Sequence, residues 1–530
     1  MKRLFVLFSL LPAFAFAQPF SISNESLDFQ SVYYTHLDSI SITLDNSTGY
    51  DVGVTGVDVF SIYGKKPFFV KDSVFTMNAG TSHAIWVYFE PEQNILHQMV
   101  AVLKTDFRGD YVINLTGKGK FLNSYYSSTY NKNEQDLKSA LKVRLAQGFV
   151  QHSYNASRDE MYGTLDNVNG DVTCVYTGRV ATFNTRSGAN SNSFNTEHTF
   201  PQGFFNKNLP MRSDVHHLFS TDVTANGRRS NLPFGVVSGS PTWSVGGSKL
   251  GGGKFEPRDD HKGAVARALF YFVIRYQDYS NHVQGQEAIL RTWFNQHAPS
   301  AKEIQRNNEI YTFQNNRNPF IDYPQFLKRI NKIVGTSIAP SVKSLYVSRN
   351  EIDMGASIDS TKWTLSVVNT GNDTVNLTNF AISNTANYSF AQSMNDVSLL
   401  PGEGMEIVLV VTPTSNATVA EQLTFKTDAT GMATVTVDLK GNWGLVSTLE
   451  LANAKNPMVY PNPATHNFVV SWENQARFDV EIYSVLGELM HYEQVNNSRT
   501  QISTAHLPMG VYIVKTISGD VSKKVMLVVK

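Results

Sequence analysis

The 530-residue chain contains one cysteine, Cys174, and this removes two structural options. An intramolecular disulfide framework needs at least two thiols and a Cys-rich zinc site needs more, so Cys174 is expected to be a buried strand residue. Charge is scarce as well. Asp, Glu, Lys and Arg make up 17% of the chain and cancel to a formal net charge of zero, so no global field draws a polyanion to the whole molecule. Long apolar runs are confined to the start. Lys2 and Arg3 precede an apolar stretch from Leu4 to Phe14 and an Ala15-Phe16-Ala17 exit, which is the pattern of an export signal over 1–17 and too short for a permanent membrane span. No later segment is long and apolar enough for a transmembrane helix, so the mature chain is expected to have none.

What is present divides into regions. At this length several domains are expected, each with its own core. From 18 to 121 the chain alternates apolar and polar residues in short runs broken by Gly, Asn and Asp, as in SISITL, HAIWVYF and YVINLTG, which predicts a β-sandwich. A second region, 342–442, repeats the plan, with SLDF and EIDM near the two starts and LTGKG and LKGN at the two ends. Both resemble Ig-like accessory domains. Between them, over 122–335, the pattern turns helical: Leu137, Leu141 and Leu145 recur every four residues, and Val265, Leu269, Phe272 and Val273 form a second stripe, with Ile289, Leu290, Trp293 and Phe294 a third. This middle region holds 24 Lys and Arg against 17 Asp and Glu, so it is basic while the remainder is acidic. The segment 456–530 reads as a third all-β unit.

The chemistry concentrates between Asn195 and Gly235. NTEHTFPQGFF is followed by SDVHHLFSTDVTANGRRSNLPFG, which gathers Glu197 beside His198, the pair His216 and His217, the amides Asn226 and Asn231, and the pair Arg228 and Arg229. A hard cation such as Mg²⁺ takes oxygen ligands, which Glu197 and the amides can supply, while a neutral imidazole can take a proton from water. An arginine can hold phosphate as a fork.

These residues resemble the endonuclease I family of secreted and periplasmic bacterial nucleases. The resemblance runs from about Tyr125 to Ile330. CVYTGR (Cys174 to Arg179) is similar to the family's first core strand, FEPRDDHKGAVARALFYFVIRY (Phe255 to Tyr276) to its central helix, and NNRNPFIDYPQF (Asn315 to Phe326) to its closing segment. The resemblance implies an α+β core of the ββα-metal type with His198 as general base and Glu197 as metal ligand. The ligand amide falls on Asn226, or on Asn231 if the register shifts. The phosphate-stabilising arginine falls on Arg229, with Arg212 in the intervening loop as the other placement. His216, His217 and Arg228 are expected to support the site or the substrate. Mg²⁺ is the implied cofactor, with Ca²⁺ or Mn²⁺ as the other hard cations, and DNA and RNA are the implied substrates. The C-terminal segments VYPNPATHNFVVSW, FDVEIYSVLGELM, LPMGVYIVKTISG and KKVMLVVK resemble the sorting domain of the type IX secretion system. That resemblance implies delivery by the secretion machinery, through the periplasm and across the outer membrane, to the cell surface or the medium.

The expected architecture is therefore multidomain: an α+β nuclease core flanked by β-sandwich, Ig-like domains, with a small C-terminal β-sandwich. Each signal has a plainer reading. A histidine is more often structural than catalytic, Asn226-Gly227 alone is a turn signal, and Glu256, Asp259 and Asp260 suit a helix N-terminus. Two other functions fit the composition: a surface adhesin with a degenerate nuclease fold, and a metal-dependent phosphoesterase for small substrates.

Overall fold

The computed structural model describes residues 20–62, 65–356, 361–412, 417–443, 457–472, 475, 477–485, 487–518 and 521–530. The expected export signal at 1–17 lies outside the described residues. Two compact units are distinguished. One comprises 1–352, 361–412 and 421–439, and the other 353–360, 413–420 and 440–530.

In the first unit, the alternation read from 18–121 becomes nine strands among the described residues, from Phe20–Ile22 to Asp110–Lys120. Counted by position, they form sheets of order 1-3-7-5 and 2-9-8-4-6, and the second and ninth strands run parallel. The nine strands from Leu345–Val347 to Thr434–Trp443 have the same two orders. The likeness extends to a buried amide. Asn46 donates Nδ2 to the carbonyls of Tyr50 (2.8 Å) and Met77 (3.1 Å), and Asn369 donates to those of Asp373 and Leu399, both at 2.8 Å. In each copy the side-chain oxygen accepts the N–H two residues on, at Thr48 and Gly371. The third strand thus ends on the same amide-locked turn.

The first sandwich is joined to the middle region by buried polar contacts. Arg329, fully buried, donates to Asn94 Oδ1 at 2.6 Å and to the Lys132 carbonyl at 3.0 Å. Gln93 and Gln325 reach across, Gln93 to the Gln325 carbonyl and Gln325 to the Glu92 carbonyl. The two sandwiches also meet: Arg349 pairs with buried Asp110, and Glu406 accepts from the Val112 N–H at 2.7 Å. Groups buried this way are costly to separate, so the three regions are held together rather than loosely strung.

The middle region contains the helices α1 (Glu134–Ala146), α2 (Tyr154–Glu160), α3 (Val223–Arg229), α4 (Asp259–Arg275), α5 (Glu287–Gln296) and α6 (Ala301–Gln314). The stripe Leu137, Leu141 and Leu145 is buried on α1, and Val265, Leu269, Phe272 and Val273 lie in the same core on α4, which is buried on nearly every side. Two strands matter for the site, β1 (Phe194–His198) and β2 (Leu218–Asp222), which pair antiparallel from Phe194 opposite Asp222 to His198 opposite Leu218. Helix α3 follows β2 directly. Asp222 caps it, its Oδ1 accepting from the Thr224 and Ala225 N–H groups at 2.8 and 3.3 Å.

Two local expectations are corrected. CVYTGR is not a strand but the turn between strands Asp171–Thr173 and Val180–Thr182, closed by the Cys174 N–H to the Arg179 carbonyl (2.8 Å) and the Gly178 N–H to the Cys174 carbonyl (2.9 Å). Gly178 supplies the positive φ of +72° that the turn needs. Cys174 is buried but lies outside any strand, and its sulfur accepts from the Thr177 and Asp222 N–H groups. The Asn226-Gly227 turn signal falls inside a helix instead, because the Asp222 cap carries the chain into helix before the pair is reached.

The second unit is all β where described. Three strands (Met458–Tyr460, Asn467–Ser471 and Arg499–Ser503) form one sheet, and four (Phe478–Ser484, Leu489–Val495, Gly510–Ser518 and Val521–Val529) form another. Phe468, Trp472, Phe478, Ile482, Val514 and Leu527 are buried in its core.

Candidate active site

Glu197 and His198 are the last two residues of β1, so their side chains leave opposite faces of the strand and can serve one phosphate only around its end. On one face Glu197, 1% exposed, accepts from the Tyr176 hydroxyl at 2.7 Å and lies 3.3 Å from the Arg229 Nε. Burial pushes its carboxyl up, against the opposing pull of Arg229 and the Tyr176 hydrogen bond. Asn195, two residues earlier, shares that face. Its Oδ1 accepts from Asn226 Nδ2 at 2.8 Å, and the same amide nitrogen reaches the Thr196 carbonyl at 3.1 Å. With both donor contacts on Nδ2, Asn226 keeps its Oδ1 as an acceptor on the side of β1 that carries Glu197.

On the other face His198 is 5% exposed, and its Nε2 donates to the Arg212 carbonyl at 3.2 Å. A carbonyl can only accept, so this bond places the proton on Nε2 and leaves the lone pair on Nδ1. Burial and the neighbouring His217 hold the imidazole well below its ordinary pKa, so it is neutral and can accept a proton. The ring lies 5.5 Å from that of Tyr154 and 5.6 Å from that of His217.

The loop from β1 to β2, residues 199–217, is shaped by Asp214, which the motif did not single out, and by the pair His216 and His217, which it did. Asp214 is fully buried and accepts from Arg275 Nη1 (2.5 Å), the Tyr271 and Tyr276 hydroxyls (2.8 and 2.9 Å) and Gln314 Nε2 (2.7 Å). Arg275 and the flanking histidines hold its carboxyl well below the usual range in spite of its burial. His216 donates Nε2 to the Asn316 carbonyl at 3.2 Å, and His217 to the Met211 carbonyl at 2.7 Å. Burial lowers them to about 3 and about 4 respectively. Both therefore fasten the loop that presents the Arg212 carbonyl to His198.

The arginines separate sharply. Arg229 is 1% exposed, with Nη1 donating to the His198 and Ser230 carbonyls, Nη2 to that of Thr199, and its guanidinium 4.6 Å from the Phe234 ring. It stands behind Glu197, within the protein, with its Nη1 and Nη2 directed at main-chain carbonyls. Arg212 lies on the His198 side. Its guanidinium sits 4.3 Å from the Tyr154 ring, and its Nε is buried with no acceptor among the described residues. Arg228 is exposed on α3, and Asn231 is exposed beyond its end. Arg158 on α2 is half-buried and donates Nε to Thr196 Oγ1 at 3.2 Å.

Among the described residues no three His, Cys, Asp or Glu side chains could share a metal ion. The hard oxygen donors on the Glu197 side of β1 are its carboxylate and the amide oxygen of Asn226, whose nitrogen is taken up by Asn195 and Thr196. Hard oxygens in small number suit a cation that keeps much of its water, as Mg²⁺ does, and do not suit a soft or thiolate-bound metal. A cavity of about 550 Å³, lined by Asp166, Phe219, Arg258, His261, Lys302 and Arg306 among others, includes none of these residues.

Residues 129–325 match the family model described as Endonuclease I, and 458–530 match that of a secretion system C-terminal sorting domain. An extracellular ribonuclease of Bacillus subtilis (strain 168) is 31% identical over 231 residues, which cover 39% of this chain and 78% of that protein. A periplasmic deoxyribonuclease of Aeromonas hydrophila is 30% identical over 122 residues, covering 22% and 49%. An extracellular deoxyribonuclease of the same organism is 31% identical over 117 residues, covering 21% and 50%.

Proposed function

We propose, since this chain belongs to the Endonuclease I family, that it hydrolyses phosphodiester bonds of DNA and RNA with little sequence specificity at a site built from Glu197, His198 and Asn226. The strand–strand–helix unit β1, β2 and α3 is read as the ββα-metal motif, and the paired sandwiches as Ig-like domains bounding a catalytic domain of about 122–335. The chain carries a sorting domain of the type IX secretion system and is a secreted or cell-surface protein. Among the described residues no helix is long and apolar enough to cross a membrane.

One observation carries the proposal: His198 is neutral, with Nε2 tied to the Arg212 carbonyl, and stands next in sequence to a buried carboxylate that shares its face with the Asn226 oxygen. His198 Nδ1 takes a proton from water, the hydroxide attacks phosphorus in line with the 3′ oxygen, and the P–O3′ bond breaks to leave a 5′ phosphate and a 3′ oxygen that takes up a proton from solvent as the 3′ hydroxyl. Arg212 takes the place first given to Arg229, because its guanidinium lies on the His198 side and has a buried N–H to satisfy. Glu197 and Asn226 Oδ1 would hold Mg²⁺, or Ca²⁺ or Mn²⁺ in its stead, with Asn231 as the second choice of amide. When bound, the cation supplies positive charge to the phosphate oxygens. Contacts with phosphate and sugar read no base, so little sequence preference is expected.

The relatives' names include both a ribonuclease and deoxyribonucleases, which favours a substrate defined by its phosphates. A degenerate adhesin is disfavoured, since Glu197, His198 and Asn226 are all present and hydrogen-bonded. Plasmid DNA incubated with the purified protein should be nicked with Mg²⁺ and spared with EDTA, and the new ends should carry 5′ phosphate. Cleavage unaffected by EDTA would refute the metal site. Hydrolysis of small phosphoesters alone would point to the phosphoesterase reading.

A further inference from the structure

The Tyr154 ring contacts both His198 and Arg212, the two side chains proposed to act on the phosphate. It lies 5.5 Å from the His198 ring and 4.3 Å from the Arg212 guanidinium, and the Arg158 guanidinium is 5.5 Å away on its own helix. The helix is fixed to the loop carrying Arg212. Ser153 caps α2 through the Ala156 N–H at 3.1 Å, and Ser157, fully buried, donates its hydroxyl to the Ser213 carbonyl at 2.6 Å. No carboxylate among the described residues pairs with Arg212, so the protein orients this cation through a ring face and leaves its charge free. A carboxylate would compete with phosphate for the guanidinium fork, whereas a ring face attracts the cation without occupying its N–H groups.

We infer that Tyr154 is a positioning residue that sets the Arg212 guanidinium over the phosphate that His198 acts on. The inference rests on the nuclease reading above. The ring face, not the hydroxyl, performs this task, so Tyr154→Phe should keep it and Tyr154→Leu should lose it. An aliphatic side chain of similar bulk gives the cation no electrostatic partner, and Arg212 is then free to swing into solvent.

The test is a double-mutant cycle with Arg212→Ala, measuring Mg²⁺-dependent cleavage of a defined duplex and thermal stability for each variant. Tyr154→Leu should lower kcat/KM about tenfold in the otherwise wild-type protein, the size of a partly buried cation–π contact, with Tyr154→Phe restoring it. In the Arg212→Ala background Tyr154→Leu should add almost nothing. A purely structural role would instead give losses that multiply in both backgrounds, and that result would overturn the inference. So would impairment of Tyr154→Phe as deep as that of Tyr154→Leu. If Tyr154→Leu and the similarly sized Tyr154→Met both melt well below the wild type, the ring serves the fold and the inference also fails. An inactive wild-type protein would overturn the nuclease reading itself, whereas multiplicative losses in an active one overturn only the role of Tyr154.

Discussion

Asn226 donates its amide nitrogen to Asn195 Oδ1 across 2.8 Å, joining the middle of α3 to the strand that carries Glu197. The bond fixes which end of the Asn226 amide is available. We predict that Asn226→Ala raises the Mg²⁺ concentration for half-maximal cleavage by tenfold or more, roughly the loss seen when a metal-site group is removed. Asn231→Ala, at an exposed position, should leave that concentration near the wild-type value. A metal titration of both variants checks this, and a larger effect for Asn231→Ala would transfer the ligand role.

Arg229 and Arg212 should fail in different ways. Removing the buried guanidinium of Arg229 strands the Glu197 carboxylate and the carbonyls of His198 and Thr199, so Arg229→Ala is expected to cost about 3–5 kcal/mol of stability. Arg212→Ala should leave the melting temperature almost unchanged and lower kcat/KM by about 10². Chemical denaturation and steady-state cleavage separate the two outcomes.

Acid should loosen the middle region well before carboxylates would account for it. His216 and His261 are held at about 3 and His217 at about 4, in each case chiefly by burial. A folded pKa below the unfolded value of about 6.5 means that the unfolded chain binds protons the folded one refuses. Stability from this source is complete above pH 6.5 and is lost as pH falls towards 3. Each histidine contributes a slope of about 1.4 kcal/mol per pH unit within that window. Urea denaturation between pH 7.5 and 4.5 should show the fall, and a flat profile would contradict the buried neutral assignment.

Deletion of 456–530 removes the sorting domain and no proposed catalytic group. The purified truncated protein should cut nucleic acid normally, and the same protein in its host should accumulate in the periplasm. Its normal appearance at the cell surface or in the medium would argue against the sorting role.

Much of this was legible because the signals were local. Period-two alternation foretold the β-sheets of both regions, and the matched ends SLDF and EIDM foretold a likeness that the shared strand orders and the amides Asn46 and Asn369 display. The helical stripe on α4 was equally plain. What sequence could not supply was partnership at long range. The burial of Arg229 depends on Glu197, Thr199 and Phe234 closing round it, while Arg228, next to it, is exposed. Asp214 read as one acid in SDVHH, yet it gathers Arg275, Tyr271, Tyr276 and Gln314 from the far end of the region. CVYTGR has strand-forming residues but contains Gly178, whose positive φ bends it into a turn that delivers the Tyr176 hydroxyl to Glu197.

The most direct test of the account is the cleavage rate of His198→Ala beside the wild type at saturating Mg²⁺, with melting curves for both. Loss of the proton acceptor should reduce cleavage by about 10²–10⁴ while the melting curve still shows a folded protein at the assay temperature. A folded His198→Ala protein that cuts DNA at the wild-type rate would contradict the assignment of His198 as the base, and with it the proposed mechanism.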